Sequence, residues 1–199
     1  MYKFSESLSE LQKQLQLLPS IGEKSAQRLA YFLINQPKDK VLALAESIVT
    51  AINNCKPCSQ CFLLSDTDPC KICTDPDRNE ETLCVVESTR DIILIESTNE
   101  FKGRYFVLGN LLSPVSGIGP HQIRIPELEK YLQKNHITEV ILAISPSTEG
   151  ETTIHFIAEF LKEKDKKITR LSTGIPYGSD MEYTGAATLM NALRRRYPV

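Results

Sequence analysis

The sequence has no apolar run near the roughly 18 residues of a membrane-spanning helix, which excludes an integral helical membrane protein. It also lacks a charge bias, because 23 lysines and arginines against 25 aspartates and glutamates leave a net charge of −2. Such a balance gives no general attraction to nucleic acid, so any DNA contact must come from a local group of cations. Internal repeats and low-complexity segments are absent too. The 199 residues, 41% of them hydrophobic, predict a globular protein of one domain or two small ones.

The first 34 residues also lack the features of a secretion signal, namely a basic start, a long apolar core and a small-residue cleavage site. We therefore expect a cytoplasmic protein whose cysteines stay reduced. Paired disulfides would need an oxidising compartment, and they are the less favoured interpretation of the cysteine pattern.

Four of the six cysteines follow the spacing C-x2-C-x8-C-x2-C, which is typical of a zinc site with four sulfur ligands. These four are Cys58, Cys61, Cys70 and Cys73. The eight residues between the two pairs are too few to bury a core, so the segment needs an ion, and Zn2+ is the usual choice for four sulfurs. Cys55 leaves a second ligand set open, because it forms another C-x2-C pair with Cys58. Cys84 lies in an apolar run, where we expect a small core side chain.

Three helices are predicted before the cysteines. The first spans residues 7–18, with a capping box at Ser7 and Glu10 and one apolar face. The second starts near Gly22 and has its own apolar stripe. The third opens at Pro37, and we expect its apolar residues to form a buried face: Val41, Leu44, Ala45, Ile48 and Ile52.

The link between the first two helices, residues 18–26, resembles the helix-hairpin-helix motif of DNA repair proteins. In that motif the N–H groups of the hairpin and of the second helix start hold a DNA phosphate without reading bases. Lys24 and Arg28 are four residues apart, so they share a helix face and could reach the same DNA backbone. Ser20 departs from the motif, which usually has its first glycine there. The plainer alternative is a helical hairpin with two solvated basic residues.

From residue 81 onward, strand and helix signals alternate. Strands are predicted at 83–86, 105–108, 139–144 and 168–171, and helices at 88–96, 126–135, 150–164 and 184–196. Strands separated by helices predict a mainly parallel sheet and so an α/β fold. Functional sites in such sheets form at the carboxyl ends of the strands.

Two acidic segments fall at predicted strand ends, Glu87 and Glu149-Gly150-Glu151. They resemble the Toprim signature of topoisomerases and primases, in which one glutamate ends the first strand and a later strand runs into Asp-Pro-Asp-x-Glu-Gly-Glu. The aspartates of that signature hold Mg2+ for phosphoryl transfer. Here Ser145 and Ser147 take both aspartate positions, and a neutral hydroxyl is a poor ligand for Mg2+. Taken alone, the two glutamates of the second segment could equally be favourable acids at a helix start.

A hairpin, a four-cysteine finger and a Toprim module in this order resemble the RecR family of bacterial recombination mediators, over essentially the whole chain. The segments 103–108, 112–120 and 138–143 strengthen the resemblance. Family members have the C-x2-C-x8-C-x2-C spacing, which favours the inner ligand set over the set with Cys55. Besides Ser20, this sequence departs at Ser145, where asparagine is usual, and at Thr173, where histidine is common.

The resemblance implies a chain of four parts. They are a helix-hairpin-helix DNA-binding region at 1–54, a four-cysteine zinc finger at 55–80 with its core at 58–73, a Toprim domain at 81–176, and a C-terminal helical segment at 177–199 that forms an oligomer interface. The resemblance also implies one structural Zn2+ per chain, sequence-independent DNA binding and ring-shaped tetramers that encircle DNA.

The implied role is non-enzymatic DNA repair at the nucleoid, in which the protein acts with RecO and RecF to load recombinase onto single-stranded gaps. Lys24 and Arg28 would line the ring, and Glu87, Glu149 and Glu151 would dock RecO. Two other classes stay open. A magnesium-dependent Toprim nuclease or primase should have carboxylates at positions 145 and 147. A zinc-ribbon adaptor that binds only proteins would lack DNA binding through the two hairpin cations.

Overall fold

The structure is a computed structural model that describes residues 5–164 and 166–198. The chain divides into two compact units, the first ending at Asn54 and the second beginning at Cys55. Within the described ranges, no helix is both long enough and apolar enough to cross a membrane.

Unit 1 contains three helices, α1 (Glu6–Gln16), α2 (Glu23–Ile34) and α3 (Lys38–Asn54). The N-cap of α1 is Ser5, whose side chain accepts a hydrogen bond from the Leu8 N–H. The predicted cap at Ser7 was therefore wrong by two residues, because Ser5 and Ser7 both suit the role and only the backbone decides between them. Ala26 and Ala30 of α2 are fully buried, so the close packing of unit 1 centres on the small residues of this helix.

The predicted burial of the apolar face of α3 was also wrong. No residue of α3 is buried within the chain, and Val41 is only half-buried. The larger apolar side chains of this helix are each at least half exposed: Leu42, Leu44, Ile48, Val49 and Ile52. Within unit 1 the main packing is between α1 and α2, and a unit of three helices has little other surface with which to cover this stripe.

Unit 2 begins with an antiparallel ribbon of β1 (Lys56–Pro57) and β2 (Leu64–Ser65), followed by the single-turn helix α4 (Lys71–Thr74). A four-stranded sheet follows, with strands β3 (Thr82–Val86), β4 (Arg104–Val107), β5 (Glu139–Ala143) and β6 (Lys167–Arg170). The strand order is β4-β3-β5-β6, and all neighbouring strands are parallel. Four helices accompany the sheet: α5 (Thr89–Glu96), α6 (Ile125–Lys134), α7 (Thr148–Leu161) and α8 (Ala186–Arg194).

The sheet is covered on both faces, which explains why its strands are continuous apolar runs. Leu83 and Val85 belong to the core cluster on one face, and Cys84 and Val86 to the cluster on the other. The alternation follows from the two-residue period of a strand. Cys84 is 2% exposed, so its prediction as a core side chain is confirmed.

The predicted α/β fold with a mainly parallel sheet is confirmed. The cap predicted at Ser88 and Asp91 is present, since the Asp91 carboxylate accepts the Ser88 backbone N–H at 2.8 Å and fixes the start of α5. The end of β3 therefore runs straight into a helix, and Glu87 lies at the junction.

Candidate zinc centre, hairpin and acidic edge

Four cysteine sulfurs converge between the ribbon and α4. The Sγ atoms of Cys58, Cys61, Cys70 and Cys73 all lie within 4.8 Å of one another, with 3.6 Å between Cys61 and Cys70 and 4.0 Å between Cys58 and Cys73. A tetrahedral ion with Zn–S bonds of about 2.3 Å requires sulfurs about 3.8 Å apart. The observed spacings bracket that value, so the donor set and its geometry fit zinc. Cys55 lies outside this cluster.

The local backbone builds the cluster. The Cys58 N–H donates to the Leu63 carbonyl at 2.8 Å and closes the turn around the first pair. The Cys70 N–H donates to the Cys58 Sγ at 3.3 Å, which ties the backbone of the second pair to a sulfur of the first. Close contact with the Cys61 and Cys70 sulfurs raises the pKa of the Cys73 thiol. Four sulfurs this close cannot all become thiolates unless a cation such as Zn2+ balances their negative charge.

The zinc centre is attached to the edge strand of the sheet. The Val107 N–H of β4 donates to the Cys61 carbonyl at 2.9 Å, and the Arg104 guanidinium donates to the Ile72 carbonyl at 2.5 Å. The rings of Phe62 and Phe106 pack edge-to-face with their centroids 5.4 Å apart. Both cysteine pairs are thus bonded to β4, and the finger covers an edge that would otherwise be open.

The hairpin between α1 and α2 turns at Ser20, whose φ is 65°. This left-handed conformation favours glycine, which explains the glycine that the motif usually has here. Gly22 is the N-cap of α2 and supplies no side chain to its first N–H groups. These groups are therefore available to an anion, as the phosphate-binding role of the motif requires.

Lys24 and Arg28 lie on the first two turns of α2, next to these N–H groups. Both side chains are exposed, and neither forms an ion pair with any residue in 5–164 or 166–198. The structure thus brings together the two predicted cations and the uncapped helix start on one exposed surface.

The acidic residues predicted at the strand ends occupy one edge of the sheet, but their surroundings differ. Glu87 is half-buried, and burial followed by the nearby charge of Asp91 raises the pKa of its carboxyl. Glu149 is exposed and makes no side-chain ion pair within the described residues. Glu151 accepts two hydrogen bonds from Arg170, at 2.6 and 2.8 Å, and this partner lowers its pKa.

The backbone around the two serines of the acidic segment is closely packed, and one serine caps a helix. The Ser147 side chain accepts the Gly150 N–H at 3.0 Å and caps α7. The Ser145 carbonyl lies so close to Gly150 that an added Cβ would be 1.9 Å from its oxygen. Glycine is therefore required between the two glutamates. Among the described residues, the cysteines form the single group of three or more candidate metal ligands, so the edge carboxylates do not converge on one point.

Comparison with known families assigns each of these parts. Residues 8–52 match the RecR helix-hairpin-helix, residues 56–75 match the four-cysteine zinc finger domain of RecR, and residues 81–172 match the Toprim domain. The recombination protein RecR of Gloeobacter violaceus is 47% identical over 193 residues, covering 97% of this chain and 98% of the relative. The RecR proteins of Carboxydothermus hydrogenoformans and Heliobacterium modesticaldum are 44% and 42% identical, each over 97% of both chains.

The chain belongs to the RecR family. Membership gives a role in DNA repair and recombination, and the match to the four-cysteine finger together with the clustered sulfurs gives one structural zinc site. The Toprim match explains why the acidic edge lies at the carboxyl ends of parallel strands, where such sheets place their sites.

Sequence reasoning missed Arg170, the partner of Glu151. Its position at the end of a predicted strand was a usable signal, because parallel strand ends meet at one edge. It also missed Asp91 as a charge beside Glu87, although Asp91 was identified as a cap. Thr173, one of the departures from the usual RecR pattern, accepts a hydrogen bond of 3.4 Å from Arg195 of the C-terminal segment.

Replacing Ser20 by glycine is expected to raise the free energy of unfolding by up to about 1 kcal/mol, because a left-handed φ strains any residue with a Cβ. Urea unfolding followed by circular dichroism measures the change. Ser25→Gly is the matched control: Ser25 lies within α2, so the same replacement there should lower stability by about 0.5 kcal/mol. A loss of stability in Ser20→Gly would show that the hairpin does not need this backbone conformation.

Proposed function

We propose that this RecR protein is a non-enzymatic recombination mediator, which binds DNA without sequence preference and acts with RecO and RecF to load recombinase at single-stranded gaps. It would work in the cytoplasm, at the nucleoid. The observation that carries the proposal is the pairing of exposed Lys24 and Arg28 with an uncapped helix start in unit 1. Such a surface contacts phosphates and carries no groups arranged to read bases.

The four parts of the chain would have separate duties. Residues 1–54 bind DNA, and residues 55–80 form the finger, in which Cys58, Cys61, Cys70 and Cys73 hold a structural Zn2+. Residues 81–176 form the Toprim domain that docks partners, and residues 177–199 join one chain to another. The hydrogen bonds from β4 to both cysteine pairs support the proposal that the zinc ion also stabilises the docking domain.

A closed homo-oligomer, proposed here as a ring tetramer, is supported by two apolar surfaces that the single chain leaves open. One is the face of α3 in unit 1, where Ile52 is 74% exposed. The other is the C-terminal segment of unit 2, with exposed Met181, Tyr183, Met190 and Leu193. Apolar patches of this kind mark contact surfaces. Two different self-complementary interfaces on each chain are sufficient to close an assembly of four.

The acidic edge would dock RecO through Glu87, Glu149 and Glu151. Glu149 is the most accessible of the three, since Glu87 is half-buried and Glu151 is bonded to Arg170. Accessible acids at an interface steer and orient a basic partner. The docking contact of largest effect should therefore be at Glu149.

Glu149→Lys is expected to weaken RecO binding by at least about tenfold, because a reversed charge at an interface turns attraction into repulsion. Isothermal titration with purified RecO measures the change. Glu127→Lys provides a matched control, since Glu127 is also an exposed acid in the first turn of a helix of unit 2. Unchanged affinity in Glu149→Lys, with full zinc content, would contradict docking at this edge.

Two other functions have less support. A magnesium-dependent Toprim enzyme needs carboxylates that converge, yet positions 145 and 147 are serines and Glu151 is already paired. Cleavage or primer synthesis that requires Mg2+ and is lost in Glu87→Gln would favour that class. A protein-binding adaptor would keep the zinc finger but have no use for the exposed hairpin cations, so absence of DNA binding would favour it.

A further inference from the structure

The end of α8 carries the only run of three consecutive cations in the sequence, Arg194-Arg195-Arg196. All three side chains are exposed, and none forms an ion pair with any residue that the structure describes. Arg195 donates to the Thr173 hydroxyl at 3.4 Å and Arg196 donates to the Leu193 carbonyl at 3.1 Å, and both acceptors are uncharged. The run therefore keeps its positive charge.

Another cation-rich segment of unit 2 is neutralised within the chain. Lys162, Lys164 and Lys167 each form an ion pair with a glutamate of the same unit. The arginines have no such partner within the described ranges, although the sequence contains 25 acidic residues. A cation in the last turn of a helix is favourable, which accounts for one arginine. Three adjacent like charges repel one another, so the run suits an anion from outside the chain.

Tyr197 follows the run directly and indicates which class of anion fits. Its side chain is 82% exposed, so the ring offers a flat apolar face to water. Bases of single-stranded nucleic acid stack on such rings while arginines contact the phosphates beside them. The bases of a duplex already stack on one another, so the ring gains nothing from a duplex. An exposed aromatic ring next to free cations therefore suits a single strand.

The geometry of the run favours the same ligand. Successive residues at a helix end do not face one another and project in different directions. A flexible single strand can bring its phosphates around such an end, whereas the phosphates of a duplex are fixed in space. The hairpin of unit 1 is the opposite case, because Lys24 and Arg28 share one helix face beside uncapped N–H groups.

We propose that residues 194–197 form a second nucleic-acid contact, which holds single-stranded DNA while the hairpin of unit 1 holds duplex phosphates. The inference deepens the proposed function and rests on it, because a gap presents a duplex and a single strand to the same protein. Met190 and Leu193, which are proposed above for contact between chains, precede the run, so the two uses depend on different side chains.

The test measures fluorescence anisotropy on the zinc-loaded full chain with three probes of equal length: a thymidine oligonucleotide, an abasic strand with the same phosphates, and a duplex. Arg194→Gln with Arg196→Gln should weaken binding of the thymidine oligonucleotide by at least about tenfold. The slope of log K against log salt should become shallower by about 1.4, since each phosphate contributes about −0.7 on a single strand. Lys130→Gln with Lys134→Gln is the matched control and should change neither, because it removes two exposed cations from the last turns of α6 in the same unit.

Tyr197→Leu separates stacking from charge. It keeps every cation and an apolar side chain, so it should weaken binding of the thymidine oligonucleotide by about fivefold or more and leave the abasic strand unchanged. Tyr197→Phe keeps the ring and should bind both strands as the wild type does. Circular dichroism and sedimentation should show the same fold and oligomeric state for all these variants.

Unchanged affinity of the arginine variant for the thymidine oligonucleotide, together with normal duplex binding, would overturn this inference alone. An arginine variant that changes its oligomeric state and keeps its affinity for single strands would also overturn it, because the cations would then belong to a contact with another protein chain. A wild type that binds neither the single strands nor the duplex would contradict the proposed function itself.

Discussion

Replacing Cys61 by serine is expected to leave the protein without zinc and to loosen the sheet as well as the finger. Structural zinc sites with sulfur ligands contribute on the order of 10–16 kcal/mol of apparent binding free energy near neutral pH. That amount is as large as the whole net stability of a typical domain, which is about 5–15 kcal/mol. Loss of the ion should therefore unfold residues 58–73 outright. Metal analysis by mass spectrometry should fall from one zinc per chain to nearly none.

The effect should reach β4 because its bonds to the finger are made by the cysteine pairs themselves. The Val107 N–H donates to the Cys61 carbonyl, and Arg104 donates to Ile72 between the second pair of cysteines. Hydrogen exchange at residues 104–107 should accordingly become faster in Cys61→Ser, and the same change should follow zinc removal by a chelator. Exchange in unit 1 should stay the same.

Cys55→Ser is the matched control for this experiment. Cys55 also belongs to a C-x2-C pair, but it lies outside the sulfur cluster. This variant should keep one zinc per chain and normal exchange in β4. Loss of zinc from Cys55→Ser, or retention of zinc by Cys61→Ser, would mean that the ligand set is not the inner four cysteines.

The features predicted correctly from sequence are those fixed by short stretches of chain. The geometry of the four cysteine ligands is determined within one short segment of the chain. The continuous apolar runs of the strands indicate a sheet that is buried on both faces. The start of α5 was predictable because Ser88 and Asp91 are three residues apart and satisfy each other. The start of α1 was not, because Ser5 and Ser7 compete for the same role and differ only in backbone conformation.

The features that sequence missed depend on distant contacts. Arg170 and Glu151 are 19 residues apart, and they meet because β5 and β6 pair with Leu142 opposite Arg170. Hydrophobic periodicity does not reveal such a register. The prediction that the apolar face of α3 is buried was wrong for a different reason. Periodicity predicts that a face will be covered, but it does not say whether the same chain or another copy covers it. That distinction links the exposed face to the proposed assembly.

Changing Lys24 and Arg28 together to alanine is expected to abolish most DNA binding without changing the oligomeric state. The chain has a net charge of −2, so it approaches DNA only where its cations are gathered. These two lie beside the uncapped start of α2 and carry no ion pair among the described residues. Lys38→Ala with Lys40→Ala is the matched control, because it removes the same charge from exposed positions of the same unit, away from the hairpin.

The salt dependence of binding distinguishes one hairpin from several. Each neutralised phosphate contributes about −0.9 to the slope of log K against log salt, so a single chain reaches only about −2, whereas four chains around one duplex reach as much as about −7. Fluorescence anisotropy over a range of salt concentrations, on two unrelated duplexes, should give weak binding, a slope well beyond about −2 and equal affinities for both. A shallow slope would contradict a ring that engages several hairpins, and a preference for one duplex would contradict phosphate contact alone. Normal binding by the variant without Lys24 and Arg28 would remove the hairpin cations from the mechanism.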